Sequence, residues 1–156
     1  MGKRFEEYLE VIYEIVKKKG YARAKDLVNA MNVSPSTVTE MVQKMDKEGY
    51  VNYEKYGGVT LTEKGRKLVE KLAKKHKTLK NFFVLIGVDE EVAEEDACRI
   101  EHVASDGTTD ALTKFVEFVQ KHDKPKWIER FRKYYESGEL EECPKLKKRG
   151  EEKNEV

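Results

Sequence analysis

In FEEYLEVIYEIV the apolar positions Phe5, Tyr8, Leu9, Ile12 and Val16 fall at helical spacing and the pattern stops at Gly20, so a first amphipathic helix runs to about Lys18. AKDLVNAM reads as a short second helix. After a tight Asn32-Val33-Ser34 connection, Ser34 can cap and Pro35 can open a third helix, whose Val38, Met41, Val42 and Met45 sit at i, i+3, i+4 and i+7 and aim at a core. Two short β-prone runs, VNYE and VTL, flank the turn Lys55-Tyr56-Gly57-Gly58 and predict a hairpin. Thr62 can then cap a long helix through Phe83, striped by Leu68, Leu72, Leu79 and Phe83. Further helices are expected over about 90 to 104 behind Asp89, 107 to 121, and 125 to 136 opened by Pro125. From Glu139 the chain is charged and nearly without large apolar residues, the composition of a poorly ordered tail.

The fold class is therefore mainly α. Two short helices on a three-residue turn, followed by a hairpin, are the parts of a winged helix-turn-helix, so residues 1–72 read as an N-terminal winged helix-turn-helix domain with a small β-hairpin wing. Residues 73–138 read as a second, helical domain, and 139–156 as the tail.

Net charge adds little until it is divided. The chain carries +1 overall, but residues 1–75 hold 16 Lys+Arg against 11 Asp+Glu, a net +5, which leaves −4 for the remainder. A polyanion partner is expected for the first half and something cationic for the second. The longest apolar run, Phe82 to Val88, is far shorter than the roughly 20 residues a membrane span requires, and no signal-peptide core opens the chain. A cytoplasmic protein without a membrane partner is expected. Cys98 and Cys143 form no CxxC pair, which points away from a disulfide scaffold and toward a reducing compartment.

The recognition helix of such a motif enters the major groove, where short polar side chains reach base edges and Lys or Arg neutralise phosphates. Candidates for the groove-facing surface, around Pro35 at the helix start, are Ser34, Ser36, Thr37, Thr39, Glu40, Gln43 and Lys44. Arg23, Lys25, Lys47 and the wing residues Lys55 and Tyr56 are candidates for backbone contacts. The outward face of any helix is polar; the hairpin and the local positive charge favour double-stranded DNA. Glu40 is the awkward member, since a carboxylate near phosphates is repelled unless it accepts from a cytosine amino group.

In the acidic half, ACRIEHVAS places Cys98, Glu101 and His102 at i, i+3 and i+4, on one face of the helix expected there. All three can coordinate a divalent cation. A cysteine is also commonly a small buried hydrophobe and a Glu-His pair commonly surface. His76 falls on the apolar stripe of the long helix, where a hydrogen-bonded core histidine is the ordinary explanation, and Glu7, Glu10 and Glu14 are equally well a solvated acidic face. Spacing alone does not bring these groups together.

The stretches EDACRIEHVASD, FEEYLEVIYEI and NVSPSTVTEMVQKMDKEGYVNYEKYGGVTLTEKG, with the histidine of KKHKTLKNFF, together resemble the diphtheria-toxin-repressor family of metal-dependent transcriptional repressors. The recognition-helix-to-wing segment looks closest to its manganese transport regulators. The resemblance covers about residues 4 to 136. It implies a two-domain repressor whose helical second half binds metal and dimerises, with metal ligands at Glu7, Glu10, His76, Cys98, Glu101 and His102. The pattern is a hybrid. The manganese branch has a carboxylate where Cys98 stands, whereas the iron branch shares CxxEH but lacks acids where Glu7 and Glu10 stand. Lys80 replaces a glutamate of the iron branch's ancillary site, and the SH3-like third domain of longer members has no counterpart here.

The resemblance implies a homodimer on a palindromic operator, with one or two ions per subunit. The thiolate favours Fe²⁺ narrowly over Mn²⁺, with Co²⁺, Ni²⁺ or Zn²⁺ able to bind in vitro. Leu112, Phe115, Val116 and Val119 are candidates for the dimer interface or, alternatively, for intrachain core. The competing reading is a metal-independent winged-helix regulator of an organic ligand or protein partner. No organic small-molecule substrate is expected: the chain offers no HExxH, no phosphate-cradling glycine loop and no nucleophile elbow, which argues against an enzyme.

Overall fold

The computed structural model describes residues 2–122 and 125–140. In order they form α1 (Lys3–Lys19), α2 (Ala24–Met31), α3 (Pro35–Lys47), β1 (Val51–Glu54), β2 (Gly58–Leu61), α4 (Glu63–Leu85), α5 (Glu90–Ile100), α6 (Asp106–Lys121) and α7 (Lys126–Ser137). The mainly α fold with a two-stranded hairpin is the one the hydrophobic pattern predicts. Of the charged tail only Glu139 and Leu140 are described, and Cys143 lies outside the described residues.

The helix ends follow local chemistry. Gly20 closes α1 in a left-handed conformation, φ 88°, and Asn32 closes α2 at φ 52°. Ser34 caps α3 by accepting from the Thr37 amide at 3.3 Å, with Pro35 at the first helical position, where a missing amide hydrogen costs nothing. Phe5, Tyr8, Leu9 and Ile12 of α1 are buried against Leu27 of α2, Val38, Val42 and Met45 of α3, and Val51, Val59 and Val69 from the hairpin and α4. Burial of this kind contributes about 1.5–3 kcal/mol per large apolar side chain.

The wing is antiparallel, with Val51 opposite Leu61 and Glu54 opposite Gly58. It is anchored outside the hairpin by two backbone hydrogen bonds between Ala22 and Val59, at 2.9 and 2.7 Å. Gly65 lets α4 start directly against β1: a Cβ there would stand 2.0 Å from the Tyr50 carbonyl oxygen, which already accepts from the Thr62 amide.

α4 crosses from the first half into the second. Its buried stripe is Gly65, Val69, Leu72, Thr78 and Leu79, whereas Leu68 and Phe83, expected on that stripe, are half-buried. The stripe shifts because α4 serves two neighbours in turn. Val69 meets the helix-turn-helix core, and the Thr78 hydroxyl pairs with that of Thr113 on α6 at 2.8 Å. Of the four candidate interface residues, Val116 and Val119 are buried within the chain, Leu112 is half-buried and Phe115 remains 37% exposed. Around Phe115 on α6 and α7, Phe118, Trp127, Phe131, Tyr134 and Tyr135 are also exposed.

One boundary differs in a way that matters. The helix expected to reach 104 ends at Ile100. Glu101 keeps helical backbone angles and its amide still bonds Ala97, but the amides of Val103 and Ala104 both return to the Ile100 carbonyl, tightening the chain into a turn. The turn ends where Ser105 caps α6. Glu101 and His102 therefore lie in a tightened last turn that continues the run begun by Cys98.

Candidate metal centre and nucleic-acid interface

The turn after α5 points Glu101 and His102 back at α1. Ligand atoms of Glu10, Glu101 and His102 all lie within 4.8 Å of one another, the only such group of three metal-ligating side chains among the described residues. His102 Nε2 stands 3.4 Å from Glu101 Oε1 and 3.6 Å from Glu10 Oε2, and the His102 side chain is 2% exposed. The other Glu101 oxygen, Oε2, is 2.7 Å from His76 Nδ1 of α4. Three segments distant in sequence thus meet at one buried carboxylate, 3% exposed.

The electrostatics match a place built for a cation. Glu10 is pushed up to about 7, first by burial and then by the neighbouring Glu101 charge, with His102 opposing. Two carboxylates this close cannot both ionise cheaply without a positive charge between them. Oxygen and imidazole donors are the set that hard and borderline divalent cations take, so these residues fit a divalent metal ion.

Glu7 and Cys98 stand apart from this group. Glu7 turns toward Lys3 at 3.8 Å and Arg4 at 3.5 Å. Cys98 is exposed, at the edge of the cluster; burial of its thiol, followed by the nearby Glu101 and Glu10 charges, raises its pKa. Two acids not singled out in the sequence make direct contacts instead. Glu6 Oε2 is 2.8 Å from His102 Nδ1, and Glu94 Oε1 is 2.8 Å from His76 Nε2. Glu6 sat unremarked beside Glu7 on α1, and Glu94 in an acidic run whose partners come from another helix, so no local signal marked either. Lys80 bridges Glu94 at 2.9 Å and Glu90 at 3.3 Å.

On α3, the Ser34 hydroxyl lies 2.9 Å from that of Ser36 and 2.8 Å from that of Thr37, a small exposed hydroxyl cluster at the helix N-terminus beside Pro35. Thr39 is half-buried and its hydroxyl donates to the Pro35 carbonyl at 2.9 Å, so it is partly engaged within the helix. Glu40, Gln43, Lys44 and Lys47 are exposed. Lys44 lies over the Phe5 ring, 5.9 Å from its centre, which draws it back toward α1. Arg23 and Lys25 are exposed at the start of α2, with the Arg23 guanidinium over Tyr21. At the wing tip Lys55 lies against Tyr56, which is 93% exposed.

Residues 1–59 match the family described as "Iron dependent repressor, N-terminal DNA binding domain", and residues 62–131 match "Iron dependent repressor, metal binding and dimerisation domain". The chain belongs to the iron-dependent repressor family. This repressor is 44% identical over 119 residues to the HTH-type transcriptional regulator MntR of Bacillus pumilus, covering 76% of this chain and 83% of that protein. The MntR of Bacillus subtilis is 44% identical over 121 residues, 78% of this chain and 85% of that one. Among solved structures, ScaR with bound Zn²⁺ is similar at 34% identity and a TM-score of 0.61, over 78% of this chain and 54% of that one. A manganese-dependent transcriptional repressor in complex with manganese is similar at 28% identity and a TM-score of 0.63, over 73% of this chain and 53% of that one. The repressor is a metal-dependent, DNA-binding and dimerising transcriptional regulator, not an enzyme. No helix among its described residues is long and apolar enough to cross a membrane.

Proposed function

We propose that this repressor responds to Mn²⁺, with Fe²⁺ as the next effective ion, and that Glu10, Glu101, His102 and His76 hold the ion. Glu7 and Cys98, which stand apart from these four, are the remaining candidates. The observation that carries the reading is the position of Glu10: it belongs to α1, whereas Glu101 and His102 follow α5, and their ligand atoms come within 4.8 Å. An ion shared by them ties the DNA-binding half to the dimerising half.

The chemistry supplied by the ion is charge: it neutralises carboxylates that otherwise repel one another. Glu10 and Glu101 would hold it, and Glu10, whose carboxyl is pushed up to about 7, would give up its proton on binding. Once both are drawn to one point, α1 and the recognition helix packed on it have a set orientation relative to α5. In a homodimer with exposed aromatics such as Phe115 and Phe118 at the interface, this defines the spacing of two recognition helices, and a palindromic operator rewards one spacing. Ser34, Ser36, Thr37 and Gln43 then reach base edges while Arg23, Lys25, Lys47 and Lys55 meet phosphates. Operator DNA places the protein's work in the cytoplasm.

Two observations support Mn²⁺ over the thiolate-preferring ions. The compact group is oxygen and imidazole, with the Cys98 thiol outside it. The relatives in two Bacillus species carry the MntR name. The test is an anisotropy titration on the protein's own promoter DNA with Mn²⁺, Fe²⁺, Zn²⁺ and a chelator. Metal should raise DNA affinity about 5- to 150-fold, the range of an ordinary coupling free energy, and DNA should tighten Mn²⁺ by the same factor. Binding unaffected by the chelator would favour the metal-independent regulator instead.

A further inference from the structure

The two histidines of the site are held in opposite senses. His102 has Nδ1 2.8 Å from Glu6 and turns Nε2 toward Glu10 and Glu101, at 3.6 and 3.4 Å. His76 has Nε2 2.8 Å from Glu94 and turns Nδ1 toward Glu101, at 2.7 Å. In each ring one nitrogen faces an outer carboxylate and the other faces Glu101, which His102 shares with Glu10.

An ionised carboxylate only accepts hydrogen bonds, so the ring nitrogen against it carries the hydrogen and, in the neutral ring, the lone pair is left on the other nitrogen. Glu6 is supplied by α1 and is 15% exposed. Glu94 is supplied by α5 and is more open, 52% exposed, but its second oxygen accepts from the Lys80 ammonium at 2.9 Å, which keeps the carboxylate ionised and in place. Lys80 is itself shared with Glu90 at 3.3 Å. The ammonium thus sits between two carboxylates.

We infer that Glu6 and Glu94 are positioning residues, each fixing one histidine so that His102 offers Nε2 and His76 offers Nδ1 to a metal ion held with Glu10 and Glu101. The inference rests on the proposed site. It gives Glu6 a double part, since it also joins α1 to the turn after α5 when no ion is bound. Outer carboxylates of this kind orient the ligand ring and raise its basicity, and their loss costs about 10- to 100-fold in metal affinity.

The chain has three histidines, so its ring-nitrogen NMR spectrum is simple to assign. In the metal-free full chain at pH 8, the hydrogen is expected on Nδ1 of His102, the nitrogen 2.8 Å from Glu6, and Glu6→Ala should scramble that pattern. Both His76 nitrogens face a carboxylate when no ion is bound, Glu101 at 2.7 Å and Glu94 at 2.8 Å, so Glu94 is tested by metal affinity. Calorimetric Mn²⁺ titration should show about a 10- to 100-fold weaker affinity for each alanine variant at unchanged stoichiometry. The glutamine variants should lose less, because the amide oxygen still accepts from the ring; they also guard against misfolding on loss of Glu6. A Glu6→Ala variant that keeps the parent His102 pattern, or an alanine variant at either position that binds Mn²⁺ within about twofold of the parent against that 10- to 100-fold expectation, overturns the positioning role at that position. Glu101→Gln separates this from the site itself. If that variant binds Mn²⁺ like the parent, the site is wrong. If it loses Mn²⁺ while both alanine variants keep it, the site stands and the positioning role falls.

Discussion

Replacing Glu10 by glutamine should make the metal-free repressor more stable and the metal response weaker. In the fold Glu10 sits with Glu101 and Glu6 around it, and its carboxyl is moved from 4.5 to about 7. The folded chain therefore keeps a proton that the unfolded chain has already released above pH 4.5. The stability linked to that proton is complete below about 4.5 and is lost as the pH rises through 7. Each pH unit of displacement is worth ~1.4 kcal/mol, so an ionised Glu10 costs the metal-free fold at most about 3–4 kcal/mol. Its side chain is 31% exposed, and solvent screening brings the expected figure to about 1–3 kcal/mol. Glutamine has the same shape and no charge. Urea denaturation in chelator should show the variant about 1–3 kcal/mol more stable than the parent at pH 8, a gap that closes as the pH falls to about 4. Mn²⁺ at about 100 times the parent's Kd should offset most or all of this gap, because it adds ~2.7 kcal/mol to the parent and less to the weaker-binding variant. A variant no more stable than the parent at pH 8 in chelator would refute the charge-crowding argument.

Gly65→Ala should destabilise by about 1–3 kcal/mol, as overpacking commonly does, lowering Tm by about 2–4 °C per kcal/mol in a scanning experiment. Its Cβ would stand 2.0 Å from the Tyr50 carbonyl oxygen, which the wing needs. Cys98→Glu should shift relative activation from Fe²⁺ toward Mn²⁺ in the promoter-binding assay; unchanged selectivity would show that the edge thiol is not the selector. Lys55→Ala should weaken binding to all DNA sequences alike and reduce the salt slope by about one, whereas Gln43→Ala should cost about 1–3 kcal/mol on the operator and little elsewhere.

Much of the fold was legible because its signals are local. The periodicity of α1 and α3, the Ser34-Pro35 start, the Gly20 stop and the hairpin turn are each dictated by the backbone needs of a few neighbouring residues. The helix-turn-helix surface follows from the same patterns, since what does not point inward on α3 must point outward. The end of α5 was less legible, because the residues between Ile100 and the Ser105 cap of α6 have no helix breaker among them.

The proposed metal centre divides along the same line. Its candidate ligands were present in the sequence as residue types: Glu10, His76, Glu101 and His102 could be named, and so could Glu7 and Cys98. What the sequence could not supply is convergence, since hydrogen-bonding distance between His102 and Glu6 spans 96 positions of chain. Only the crossing of α4 from one half to the other, and the turn after α5, decided that Glu10 meets Glu101 and His102 while Glu7 faces Lys3 and Arg4. The outer acids Glu6 and Glu94 acquire meaning only there. A carboxylate on a helix is surface until packing buries it, and the sequence records the carboxylate but not the packing.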